Sequence, residues 1–221
     1  DHGVPLSEVR HLVLTHVHLD HAGGSGHLVD RMPELTVHVH EDGAPHMADP
    51  DRLVASTRRT FGDAHDRLWG EVLPVPQDRL RAWRPGEKGP FQYLRPFHTP
   101  GHIDHHVAWL EERTGTLLAG DSMGIVLAPG APTHPPTPPP SLDLEAWRRS
   151  LTSLLPLGPE RIGVAHFGLH EDFHGRREAL ADELESLEAR VREAIEACRV
   201  DEDARAFEEE VRERQAGARP R

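Results

Sequence analysis

The run Thr15-His16-Val17-His18-Leu19-Asp20-His21-Ala22-Gly23-Gly24 constrains this chain more than any other feature. It places three histidines and one aspartate within six residues, directly after the apolar stretch Leu12-Val13-Leu14. A short buried strand that ends in such a cluster delivers nitrogen and oxygen ligands to one point, the donor set of borderline and hard metal ions. In extended backbone alternate residues point the same way, so His16 and His18 can share one ion. Asp20 and His21 follow where the chain turns and can face a second ion. A bare His-X-His is a weaker signal. His38 and His40 have the same spacing with no Asp-His after them, and they are read as strand residues outside the site.

Three further segments end a strand with a candidate ligand. Residues 91–97 read as a strand leading into His98-Thr99-Pro100-Gly101-His102. Residues 106–110 and 116–119 read as a hairpin around Thr114-Gly115, and the second strand ends at Gly120-Asp121-Ser122. Residues 161–165 form a short apolar strand ending at His166-Phe167-Gly168. Between these lie a helix over 26–31, an alternating half-buried strand over 35–40, and helical patches over 41–70 broken by Pro45, Pro50 and Gly62. The proline-rich stretch 129–140 can be neither helix nor central strand and is read as a stiff, extended loop. Residues 141–143 lead into a helix through Leu154. From Glu171 the pattern is helical to about Arg214, with Leu180, Leu184, Leu187, Val191 and Ile195 on one face. Strands alternating with helices describe an α/β layered protein. Residues 1–170 are expected to form its core, and 171–221 a helical extension packed on the core or at a dimer interface.

Composition narrows the function classes. The 221 residues carry a net charge of −12 with histidine neutral, which argues against a nucleic-acid backbone as main partner. Bound divalent cations would offset part of that charge. The single cysteine, Cys198, excludes an intramolecular disulfide framework and a cysteine-based zinc site, and is read as an inert structural thiol. No apolar run approaches the ~20 residues of a membrane-spanning helix. No signal-peptide pattern is visible, and a cytoplasmic location is the default expectation.

The run His16-Val17-His18-Leu19-Asp20-His21 resembles the signature of the metallo-β-lactamase-fold hydrolase superfamily. Thr99-Pro100-Gly101-His102 resembles that family's second metal motif, Gly120-Asp121 its bridging-aspartate motif, and His166 in Ala-His-Phe-Gly its last histidine. The resemblance covers roughly residues 10–170 and implies a four-layer αββα sandwich with the site at one edge of two sheets. It implies that His16, His18 and His102 hold one ion, and that Asp20, His21 and His166 hold another. Asp121 would bridge both. Family members usually begin with two or three strands before the first histidine motif, whereas about a dozen residues precede it here. Part of the first sheet is therefore expected to be missing, leaving an edge and an apolar face that either pack on the chain's own core or pair in a homodimer.

The resemblance implies a binuclear metal-dependent hydrolase. Two divalent ions, zinc or alternatively manganese or iron, lower the pKa of water to about 7. A hydroxide shared between them would attack a carbonyl carbon or phosphorus, with Asp20 orienting it and able to pass a proton to the leaving group. A bridging Asp121 argues against the β-lactamases proper. The expected substrate is a small, fairly apolar ester, lactone or phosphoester (phosphodi- or triester). Candidate contacts are Trp69, Met123, Ile125 and Phe167. A thioester hydrolase or β-lactamase of the same fold, an iron-dependent oxidoreductase or dioxygenase, and a non-catalytic remnant stand as alternatives. The expected partner is the small-molecule substrate, with no nucleic acid or membrane.

Overall fold

A computed structural model of the chain describes residues 3–127, 131–166 and 168–217. These fall into two compact units. One is formed by the chain up to His98 together with His105–Trp109, the other by Thr99–Asp104 and the chain from Leu110 onward. The division thus falls inside residues 1–170, and the C-terminal helices belong to the second unit.

In the first unit β1 (His11–Val13) runs into the histidine cluster, followed by α1 (Leu19–Ala22), α2 (Ser25–Arg31) and β2 (Thr36–His40). Helices α3 (Ala44–Ala48), α4 (Asp51–Phe61) and α5 (His65–Leu68) precede β3 (Leu80–Trp83) and β4 (Leu94–His98). Strands β1, β2 and β3 form a parallel sheet in that order, with His11 opposite Thr36 and Val37 opposite Leu80. Parallel neighbours need a crossover, and the intervening helices supply it. On the central strand β2 the period of two is visible directly. Val37 and Val39 enter a core with Leu14, Val17, Val29, Met32, Leu35, Met47 and Val75, while His38 and His40 face the other way. Each such buried aliphatic side chain contributes roughly 1.5–3 kcal/mol relative to exposure. A second cluster joins Trp83, Leu94, Val107 and Trp109.

Strand β5 (Val107–Glu111) carries the chain from the first unit to the second. In the second unit β6 (Thr116–Gly120) is followed by β7 (Ile125–Val126), β8 (Thr133–His134) and α6 (Leu144–Ser153). Strands β9 (Arg161–Val164) and β10 (Leu169–His170) then lead to α7 (Phe173–Glu196) and α8 (Val200–Gly217). Strand β6 pairs parallel with β9, and β9 antiparallel with β10. Two residues of the proline-rich stretch, Thr133 and His134, form a short strand against β7. The rest of that stretch among the described residues has neither helix nor strand, as its missing N–H donors require.

The continuous helix expected over 171–214 is instead two. α7 begins at Asp172, whose carboxylate accepts the Gly175 N–H at 2.9 Å, and ends before Cys198. Cys198 takes a positive φ of 54°. Its N–H donates to Ile195 and that of Arg199 to Ala194, the paired bonds of a Schellman stop. The apolar stripe on α7 is buried only in its first half. Leu180 and Leu184 are fully enclosed, whereas Val191 and Ile195 are exposed. Arg190 ties α7 to α8 through Asp203 and Glu210, each at 2.7 Å.

Candidate metal centre

The first unit carries the four candidate ligands of the opening motif. Their backbone is held by the start of β5: Val107 N–H donates to the Thr15 carbonyl at 2.8 Å, and the Trp109 indole N–H to the Leu14 carbonyl at 3.0 Å. The Val17 N–H donates to His105 Nε2 at 3.3 Å, and the ring of buried His106 stacks on His16. His105 and His106 therefore have structural work, which separates them from the ligand set. The His18 carbonyl starts α1 by accepting the N–H groups of His21 and Ala22. That single turn brings the His21 ring centroid within 4.1 Å of that of His16.

His16 is fully buried. Its Nδ1 lies 3.1 Å from the Thr15 hydroxyl, and its Nε2 lies 3.0 Å from His18 Nδ1. Two ligands bonded to one ion at about 2.0–2.1 Å and roughly tetrahedral or octahedral angles sit about 3 Å apart. The His16–His18 pair fits that requirement. Asp20 Oδ2 is 3.4 Å from His21 Nε2. Burial pushes the Asp20 carboxyl up, but the His21 hydrogen bond and the charges of His21 and His18 outweigh it and hold the group at about 2.

The second unit carries the other three. Helix α6, capped by Asp143, grips the turn before His102. The Asp143 N–H donates to the Gly101 carbonyl at 2.9 Å, the Ser150 hydroxyl donates to the Pro100 carbonyl at 2.6 Å, and the His102 ring packs edge-on to Trp147. Gly101, with φ of 141°, lies so close to Trp147 that a β-carbon would come within 2.2 Å of the Trp147 Cβ. His102 Nδ1 is 2.9 Å from the Pro136 carbonyl, which can only accept. Nδ1 therefore carries the proton, which makes Nε2 the nitrogen able to offer a lone pair to an ion.

Parallel pairing of β6 and β9 puts their C-terminal ends side by side, with Gly120 opposite Val164. The chain turns at Gly120, whose φ is 52°, into buried Asp121, and β9 leads into His166. Asp121 turns one oxygen to each histidine: Oδ2 is 3.5 Å from His102 Nε2, and Oδ1 is 4.0 Å from His166 Nε2. Each unit thus carries His and Asp side chains of the kinds suited to holding metal ions.

Of the candidate substrate contacts, Trp69 is half-buried, packed by Phe61 and His65, and lines a hollow of about 440 Å³ with Asp20, Leu19, His27 and Leu68. Met123 is wholly buried and Ile125 half-buried, both in the second unit. Phe167 lies outside the described residues. His38 and His40 take structural partners, His11 and His98 respectively. The Thr15 hydroxyl and the Pro136 carbonyl are contributors that the sequence reading missed. A carbonyl 34 positions away from the residue it orients leaves no local signal.

Imidazoles and carboxylates at strand ends on a mixed α/β frame describe an α/β protein whose His and Asp side chains are suited to binding metal ions. The family model of the metallo-beta-lactamase superfamily matches residues 1–166, so the chain belongs to that superfamily. A metallo-beta-lactamase fold-containing protein of Sulfurisphaera tokodaii is 29% identical over 175 residues, covering 74% of this chain and 62% of its own length. The chain thus spans about three-fifths of that relative. The crystal structure described as the first of an archaeal metallo-beta-lactamase superfamily protein, from Sulfolobus tokodaii, matches at a TM-score of 0.64 and 27% identity. That match covers 80% of this chain and 66% of the other. A metallo-beta-lactamase family protein from Thermus thermophilus is 30% identical at a TM-score of 0.64, over 86% of this chain and 65% of its own. The protein TTHA1623, solved in a di-iron-bound form, is 27% identical at a TM-score of 0.53, over 76% and 73% of the two chains. The fold is the metallo-beta-lactamase fold, with mixed α/β content. Among the described residues, no helix is long and apolar enough to cross a membrane.

Proposed function

We propose that this chain is a binuclear metal-dependent hydrolase of a small ester, lactone or phosphoester. The observation that carries the reading is Asp121, a buried carboxylate with one oxygen turned to His102 and the other to His166. That is the disposition a carboxylate needs to bridge two ions. In this reading His16, His18 and His102 hold one ion, Asp20, His21 and His166 the other, and Asp121 both. Bound there, the ions supply Lewis acidity and lower the pKa of water to about 7. The chain's own residues do the rest. Pro136 and Thr15 orient the ligand imidazoles, and Asp20 orients the attacking water. The hollow beside Asp20, walled by Trp69 and Leu68, takes the small apolar part of the substrate.

Support comes from the superfamily, whose members are mostly metal-dependent hydrolases, and from TTHA1623, a relative with two iron ions bound. That di-iron form also favours a second reading, an iron-dependent oxidoreductase on the same ligands. Metal analysis combined with a hydrolysis screen over aryl esters, lactones, thioesters, phosphodiesters and phosphotriesters separates the two. The hydrolase reading expects two ions per chain and turnover of one ester class. His18→Ala and Asp121→Ala should each lower metal content and reduce turnover by at least about 100-fold. Hydrolysis that survives both substitutions refutes the reading, and iron with no hydrolysis of any substrate favours the second.

A further inference from the structure

We infer that the hollow between the loop at 85–92 and strand β4 is a binding site for a planar aromatic anion. Its volume is about 750 Å³, and Trp83, Phe91, Phe97, Lys88 and Arg95 are among its lining residues. A hollow of this size with mostly apolar walls and a few placed polar groups suits a small molecule. It draws on none of the metal-ligand candidates and does not depend on the proposed hydrolase activity.

The walls are pre-set. The Phe91 ring is stacked on Tyr93 at 5.6 Å and meets the edge of His11 at 4.8 Å, so it is held from two sides. The indole N–H of Trp83 donates to the Glu87 carbonyl at 3.1 Å, leaving a satisfied aromatic surface. The Arg95 guanidinium sits 4.9 Å from the centroid of the Phe97 ring, which fixes a cation beside an aromatic face. Lys88, the sole lysine of the chain, supplies a second cation from the loop.

The lining of the hollow brings two cations, Lys88 and Arg95, together on an acidic molecule. Among its described lining residues the one carboxylate is Glu87, and it is engaged. It accepts the Arg84 backbone N–H at 3.1 Å and faces the Arg84 guanidinium at 3.9 Å. In a chain of net charge −12, aromatic walls flanked by Lys88 and Arg95 select a ring that stacks and bears a negative group.

The test uses the metal-loaded full chain with 2-naphthoate as probe and neutral 2-naphthalenemethanol as control. Reductive ¹³C-dimethylation keeps the amine charge and labels only Lys88 and the chain's α-amino group. The Lys88 methyl resonance is expected to shift saturably with naphthoate and to stay in place with the alcohol. Lys88→Gln and Arg95→Gln, both at exposed positions, should each weaken naphthoate binding roughly five- to tenfold by tryptophan fluorescence, with unchanged circular dichroism. The inference is overturned if the alcohol shifts the resonance equally, or if both variants keep full affinity. It is also overturned if naphthoate changes the tryptophan fluorescence without moving the Lys88 signal, which would place the probe elsewhere on the chain.

Discussion

Single residues decide how the candidate ligands are presented. Gly101 sits at a φ of 141° against the fully buried Trp147, so Gly101→Ala forces the backbone beside His102 out of place. The expected cost is about 3 kcal/mol in urea unfolding, from backbone strain and overpacking together. His38 gives a pH dependence of known sign. Burial, then the charges of His11 and Arg81, depress its pKa from 6.5 to about 4. The groups facing it are His11 at 3.0 Å on β1, Arg81 opposite it on β3, and the Phe91 ring. Between these two pH values the unfolded chain binds more protons than the folded one, so stability falls as pH drops from 6.5 to 4. His38→Gln should flatten the urea midpoint over that window. A parallel loss in wild type and variant would assign the effect to another group.

At the scale of elements, the stop between α7 and α8 is the clearest departure from the sequence pattern. Ala197-Cys198-Arg199 contains neither glycine nor proline, and nothing in its composition ends a helix. The bonds from Cys198 to Ile195 and from Arg199 to Ala194 end it all the same, with a non-glycine residue in the left-handed region. Such a conformation costs an L-residue about 1–2 kcal/mol, more for a β-branched one. Cys198→Gly is expected to leave stability unchanged or raise it by up to about 1 kcal/mol, whereas Cys198→Val should lower it by about 1 kcal/mol or more. Thermal melts of the two variants check both signs. α6 shows the opposite case. Its start after residues 141–143 is readable in the sequence, but its grip on Pro100 and Gly101 is not.

For the whole molecule, anything bound to the folded chain and not to the unfolded one adds to stability. Metal at a hundredfold excess over its dissociation constant contributes about 2.7 kcal/mol. Chelation should therefore lower the melting temperature by several degrees and readdition of zinc or iron restore it, with His18→Ala responding less than wild type. The order and chemical type of the seven candidate ligands, the family and the metallo-beta-lactamase fold were legible in the sequence. Strand-end motifs are local, and each needs only a few consecutive residues to be recognised. Which nitrogen of His102 meets the Pro136 carbonyl, how Asp121 divides its two oxygens, which structural partners His105 and His106 take, and where the α7 stripe becomes exposed were decided by tertiary structure alone. Each of these depends on a partner tens of residues away, such as the Pro136 carbonyl on His102 or the β5 backbone on Thr15. Spacing along a chain determines what a residue can donate, and only packing determines in which direction it does so.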